Sequence, residues 1–152
     1  MTFKFVIKGF TIPAVANKPI VTFLAGTGKP FKFLRIEIGP RGSASGYQDF
    51  QLRKVSVAET GGTAVNATAD DDGWTAAPGC VCKKGTFTAD PTLGTADAAG
   101  NEGGAWTFNA VGYLPYTPVV PERVAPGNEW ALCTGSGGAN SIVADITVRF
   151  EE

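Results

Sequence analysis

The residues of this chain whose types and spacing could carry chemistry are three cysteines, a run of aspartates, a GTGK segment and a handful of carboxylates. Cys80 and Cys82 stand two apart in GCVCKK, and Cys133 lies far downstream. Three thiols in a chain without histidine leave a structural zinc site one ligand short unless an Asp or Glu completes it. On a strand, a Cys-x-Cys pair points both side chains to one face, where they act as small hydrophobes. A disulfide from Cys133 to one of the pair is the remaining arrangement, and it requires an oxidising compartment. In TADDDGW, Asp70, Asp71 and Asp72 have the composition of a calcium loop. They lack its alternation, because contiguous carboxylates cannot all turn inward, so a solvated acidic turn is expected. Gly26 to Phe31, GTGKPF, ends like a phosphate loop. Phe23 stands where the first glycine belongs, however, and Pro30 replaces the hydroxyl residue that would bind magnesium.

Catalysis has few parts to draw on. The chain has no histidine for general-base work, no G-x-S-x-G elbow, and no imidazole to activate a thiol. A carboxylate pair such as Glu37 with Asp49 is what a glycan hydrolase would have to use. The expectation is a non-enzyme with no cofactor and no metal.

The elements that must position these residues have a period of two. In NSIVADITVRFEE, Ile142, Ala144, Ile146, Val148 and Phe150 fall on one face and Asp145, Thr147, Arg149 and Glu151 on the other. PFKFLRIEIGP sets Leu34, Ile36 and Ile38 against Arg35 and Glu37, bounded by Pro30 and Pro40. TFKFVIKGFTI, KPIVTFLA, YQDFQLRKVSVA, AWTFNAVGY and EWALC add strand candidates rich in aromatic and β-branched residues. No window shows a helical stripe. Many short strands between Gly/Pro-rich turns predict an all-β, single-domain antiparallel β-sandwich over residues 1–152, jelly-roll-like in plan. Residues 61–105 are dominated by Gly, Ala, Thr and Asp, with few large apolar anchors beyond Trp74 and Phe87, and are expected to form long loops.

Net charge is −1, which removes the counterion-release argument for nucleic-acid binding. The charge is unevenly spread. Residues 1–60 hold nine Lys/Arg against Glu37, Asp49 and Glu59, whereas the remainder holds four against eleven. Either neighbouring strands from the two halves pair opposite charges within one fold, or the basic half of one subunit meets the acidic half of the next. Lys4 and Lys8 interrupt the apolar start, so no signal peptide is read there. No stretch reaches the roughly 18 apolar residues a membrane helix needs. A soluble protein made in a cytoplasm, binding neither membrane nor nucleic acid, is expected.

The segment YTPVVPERVAPGNEWALC, Tyr116 to Cys133, carries Pro118, Pro121 and Pro126. Its missing amide donors keep the first part out of a central strand and predict an extended, partly polyproline-like crossing. Pro126-Gly127-Asn128 then turns the chain into a strand starting near Glu129, with Trp130 and Leu132 facing one way and Ala131 and Cys133 the other. That places Trp130 toward the core or its margin and makes Tyr113 and Tyr116 the more exposed pair.

The order of these features resembles small β-rich virion proteins of tailed bacteriophages, among head decoration and related minor structural proteins. An alternating N-terminal strand is followed by PFKFLRIEIGPRGSASGYQDFQLRKVSV, a Gly/Ala/Thr-rich middle, WTFNAVGYLPYTPVVPERVAPGNEWALC and a closing SIVADITVRFEE. The resemblance spans most of the chain and is one of architecture and punctuation. It implies a jelly-roll-like sandwich that attaches to the major capsid protein on the outside of a virion head, often as a homotrimer. Weak contacts made three at a time gain avidity, and binding the mature lattice stabilises it by mass action. Trp74, Tyr113, Tyr116 and Trp130, in or beside turn-rich segments, are the candidate interface anchors. A carbohydrate-binding head fibre or tail tip is the alternative, and a glycan hydrolase follows it.

Overall fold

The period of two becomes a protein of strands. The computed structural model describes residues 1–42, 47–70, 77–95, 102–109, 114–116, 122–135 and 141–152, for most of 102–109 and all of 114–116 by their backbone alone. In chain order the strands are β1 (Thr2–Ile12), β2 (Pro19–Leu24), β3 (Phe31–Pro40), β4 (Tyr47–Val57), β5 (Thr60–Val65), β6 (Ala67–Ala69) and β7 (Val81–Ala89). They continue with β8 (Thr92–Leu93), β9 (Glu102–Asn109), β10 (Leu114–Tyr116), β11 (Glu122–Val124), β12 (Glu129–Thr134) and β13 (Ile142–Glu151). One sheet runs β10–β3–β13–β1–β6, with β11 also on β3; the other runs β5–β7–β2–β12–β4–β8, with β9 also on β4. The strand pairings of both sheets are antiparallel. The expected antiparallel β-sandwich is therefore the fold, and among the described residues no helix is long and apolar enough to cross a membrane.

The two inner faces share one core. Residues 142, 144, 146, 148 and 150 of β13 are all buried, as their alternation predicts. Phe150 is stacked on Phe5 with ring centroids 4.8 Å apart and on Phe3 at 5.5 Å, and meets the edge of Phe31 at 5.7 Å. Phe23 of β2 reaches across from the opposite sheet to Phe33 at 5.1 Å and Phe5 at 6.1 Å. Full burial of one such side chain stabilises the fold by roughly 1.5–3 kcal/mol, so these six rings tie the sheets together.

Two bulges correct the simple alternation. Between Ile7 and Phe10, Lys8 and Gly9 face the single residue Asp145. Gly9 takes φ +60°, where a glycine is favoured, and Asp145 Oδ1 accepts both the Gly9 amide and Arg41 Nε at 2.7 Å. In β3 the register shifts at Leu34, because Arg35 pairs with Arg149 and Phe33 with Phe150. Phe31 and Phe33 therefore hold the core positions, and Leu34, expected on the inner face, is only half-buried.

The stretch 61–105 is corrected from long loops to a largely stranded insertion: β5, β6, β7, β8 and the start of β9 lie in it. Gly61 and Gly62 mark close approach of β5 to β7 rather than a loop. Gly62 has φ +82°, and a Cβ there would lie 2.8 Å from the Phe87 ring; one on Gly61 would lie 2.5 Å from Thr88 Oγ1. Val65 and Phe87 provide the apolar contacts that composition alone made look sparse.

On either side of residues 117–121, which hold Pro118 and Pro121 of the expected crossing and lie outside the described residues, two short strands pair with β3. β10 pairs Leu114–Tyr116 with Ile38–Ile36, and β11 pairs Glu122–Val124 with Phe33–Phe31. Pro115 sits on an edge strand, where a missing amide costs no ladder bond. Pro126 and Gly127 then turn the chain: Asn128 N donates to Ala125 O at 3.0 Å and Gly127 has φ +73°, the pattern of a type II turn.

Candidate functional site

Of the four aromatic candidates, Trp130 and Tyr116 lie among the described residues. Trp130 is 8% exposed and packs in the main core with Leu132, so it is a core residue and not an exposed anchor. β12 has no exposed position because it is a central strand, flanked by β2 and β4. Tyr116 lies in β10 on the edge of the sheet, opposite Ile36. Trp74 and Tyr113 lie outside the described residues.

The thiols are free and buried. Cys80 and Cys82 join the main core, as the Cys-x-Cys alternation predicts, while Cys133 belongs with Ala131 and Val55 to a small cluster on the outer face of the seven-stranded sheet. The sheet itself thus separates Cys133 from the pair. Burial pushes all three thiols up, Cys133 to about 12, with the Glu152 carboxylate adding to the effect at Cys80. Such thiols are poor nucleophiles. Asp70 is engaged by cations, 3.2 Å from Lys4 Nζ and 3.6 Å from Arg149 Nε; Asp71 and Asp72 lie outside the described residues. Gly26–Lys29 joins β2 to β3 as a turn between two strands, not the strand-to-helix turn a phosphate loop requires. Glu37 and Asp49 lie on strands of different sheets, each beside inward-facing neighbours, Ile36 and Ile38 in β3 and Phe50 in β4. The two carboxylates consequently face opposite sides of the sandwich and cannot flank one glycosidic bond.

Charge from the two halves of the chain is paired within the fold. Lys4–Asp70, Lys18–Asp90 (2.6 Å), Lys32–Glu151 and Arg41–Asp145 each join a cation of residues 1–60 to an anion of the remainder.

What the tertiary structure does assemble is a polar cluster on the outer face of the seven-stranded sheet. Thr22 of β2 pairs with Lys83 of β7, and Glu129, the first residue of β12, pairs with Leu24 one step along. Glu59, between β4 and β5, joins them. Thr22, Glu59 and Glu129 are 1%, 7% and 8% exposed. Lys83 Nζ lies 2.9 Å from Glu59 Oε1. Buried Glu59 Oε2 has no ordinary donor, which leaves the neighbouring Glu129 carboxyl to supply one. Burial, then the hydrogen bond and the charge of Glu59, push Glu129 up to about 7. Burial also works to raise Glu59, but the hydrogen bonds from Glu129 and Lys83 overcome it and hold Glu59 below the usual carboxylate range. Below about pH 7 the cluster therefore holds one neutral acid, one carboxylate and one ammonium, with a single proton between the carboxyl pair.

Beside it opens a cleft of about 710 Å³ with Leu24, Val55 and Leu93 as apolar walls and Asn128, Glu129 and Ala58 at its margin. This volume is in the range of small-ligand sites. In the sequence, Glu129 reads only as the start of a strand. The signal that could have found it is a lone acid on the face it shares with Ala131 and Cys133, small apolar residues that belong under cover.

No family model, curated protein or solved structure matches this chain.

Proposed function

We propose that this protein is a structural component of a virion, a decoration protein that binds the major capsid protein on the outer surface of a bacteriophage head. The strand order is the observation that carries this reading. A jelly roll has eight strands, with the first, eighth, third and sixth in one sheet and the second, seventh, fourth and fifth in the other. With β5–β8 taken as an insertion and β10/β11 as one split strand, the orders β1–β13–β3–β10/β11 and β2–β12–β4–β9 follow that plan. Jelly rolls recur in viral capsid proteins, an analogy of fold that supports the role without fixing it.

The surface fits a protein that works by contact. Leu24 and Val81 are cross-strand partners, 39% and 44% exposed, and form an apolar pair on the outer face of the seven-stranded sheet. Apolar side chains side by side on a surface mark interfaces more often than scattered ones do. Attachment of several copies, as a homotrimer, multiplies such weak contacts through effective concentration. The decisive experiment mixes the purified protein with undecorated expanded capsids and images them. Ordered extra density at fixed lattice positions is expected, and its absence would sink the proposal. A glycan array run in parallel separates the competing use of the same scaffold, since clean saturable glycan binding would replace decoration with a carbohydrate-binding head-fibre or tail-tip module.

A further inference from the structure

The crossing from β4 to β5 buries a single side chain. In the sheet order, β12, β2 and β7 lie between these two strands, yet only Ala58 and Glu59 join them. From Ser56 to Ala64, Glu59 is the one buried residue, with exposed neighbours on both sides. A segment that would ordinarily be pinned by an apolar residue is pinned instead by a carboxylate. That carboxylate is anchored by Lys83 Nζ at 2.9 Å on Oε1, while its buried Oε2, which no ordinary donor reaches, is left for the neighbouring Glu129 carboxyl.

We propose that Glu59 and Glu129 form a proton-operated latch, in which one shared proton holds the β4–β5 crossing against the outer face of the seven-stranded sheet and its loss releases that crossing. With the proton present, Glu129 donates to Glu59 and the cluster is neutral overall. Without it, two carboxylates face each other over one ammonium, and Glu59 Oε2 has no donor. A buried acceptor without a donor and an uncompensated buried charge are both costly, so the crossing moves until water reaches one of the carboxylates. The other groups facing Glu129 offset only part of this. Lys83 of β7 lies on Glu59, β2 contributes Leu24 and the Thr22 hydroxyl, which hydrogen-bonds Glu129 and favours its charged form without supplying a charge, and β5 places Ala64 opposite Lys83. Lys54 of β4 lies on the cleft wall with Glu129 and can follow its carboxylate into the cleft but cannot restore the bond to Glu59. Ala58 and Glu129 both line that cleft, so release of the crossing reshapes it. Burial and the neighbouring carboxylate place the Glu129 transition near neutral pH, at about 7.

The test is a side-chain carboxyl NMR titration of the full chain from about pH 4 to 9, with backbone amide shifts followed at the same time. One glutamate is expected to titrate near 7, and the amides of Ala58, Glu59 and Thr60 are expected to move with the same midpoint. Glu129→Gln keeps a permanent donor for Glu59, so both transitions should vanish while the amides stay at their low-pH positions. Glu59→Gln removes the facing charge but not the burial, and should lower the Glu129 midpoint below its wild-type position. A Glu129 that titrates with the surface glutamates, or amide movement that persists unchanged in Glu129→Gln, overturns the latch. Should Glu129→Gln not fold, Glu59→Gln decides alone: a Glu129 midpoint that does not move in it refutes the shared proton.

Discussion

Phe150 is the ring on which the core is most exposed to perturbation. It is fully buried and contacts three others, Phe3, Phe5 and Phe31, with centroids 4.8 to 5.7 Å apart. Truncation to alanine removes the whole side chain and is expected to cost about 3–5 kcal/mol. Phe150→Leu retains most of the apolar volume but deletes three ring pairs. At a minimum of about 0.5 kcal/mol each beyond area burial, these amount to roughly 1.5 kcal/mol. For a chain of this length that loss lowers the melting temperature by about 3–6 °C. Guanidinium unfolding followed by tryptophan fluorescence measures it, since Trp130 sits in the same core. Val143→Ala is the control, on the same strand but 39% exposed on the opposite face; it should stay within about 0.5 kcal/mol of wild type. If Phe150→Leu matches that control, the rings contribute only as apolar volume and the stacking argument fails.

Three further outcomes follow from local geometry. Glu129 has a folded-state value raised to about 7, so its contribution to stability is full below the unfolded value near 4.5 and is lost as pH rises through 7. The loss is at most about 3 kcal/mol at roughly 1.4 kcal/mol per unit. Denaturation midpoints between about pH 5 and 8 should fall in wild type and stay flat in Glu129→Gln; a flat wild-type profile would contradict the buried pair. Gly62→Ala places a methyl against the Phe87 ring at a φ of +82°, and a loss of about 1–3 kcal/mol is expected on thermal melting. A thiol-reactive chromophore should label none of the three cysteines in the native protein and all three in denaturant, whereas rapid labelling of Cys133 without denaturant would show the small outer cluster to be open.

Much of the sandwich is legible in the sequence because strand alternation is a local signal. β13 and β12 face as their residue types dictate, down to the split of Trp130 and Leu132 from Ala131 and Cys133. Leu34 and the glycine-rich middle were misjudged for one reason: a bulge or a close backbone approach depends on what the partner strand presents. Nothing in KFLRIE announces that Arg149 will face Arg35 while Phe150 faces Phe33. Likewise Gly61 and Gly62 read as loop until β7 lies against them.

An all-β chain, a turn at Pro126-Gly127, a shared face for Cys80 and Cys82 and the split of Trp130 and Leu132 from Ala131 and Cys133 are written in the sequence. Each follows from backbone sterics and from a side-chain period of two, which need no knowledge of distant residues. Only the tertiary structure decided the order of the strands and the meeting of Glu59, Lys83 and Glu129. Those three are far apart along the chain and joined solely by the pairing of β7, β2 and β12 and by the short crossing above them. A carboxylate's proton affinity depends on the solvent it loses and the charges it gains, and both are properties of the assembled fold.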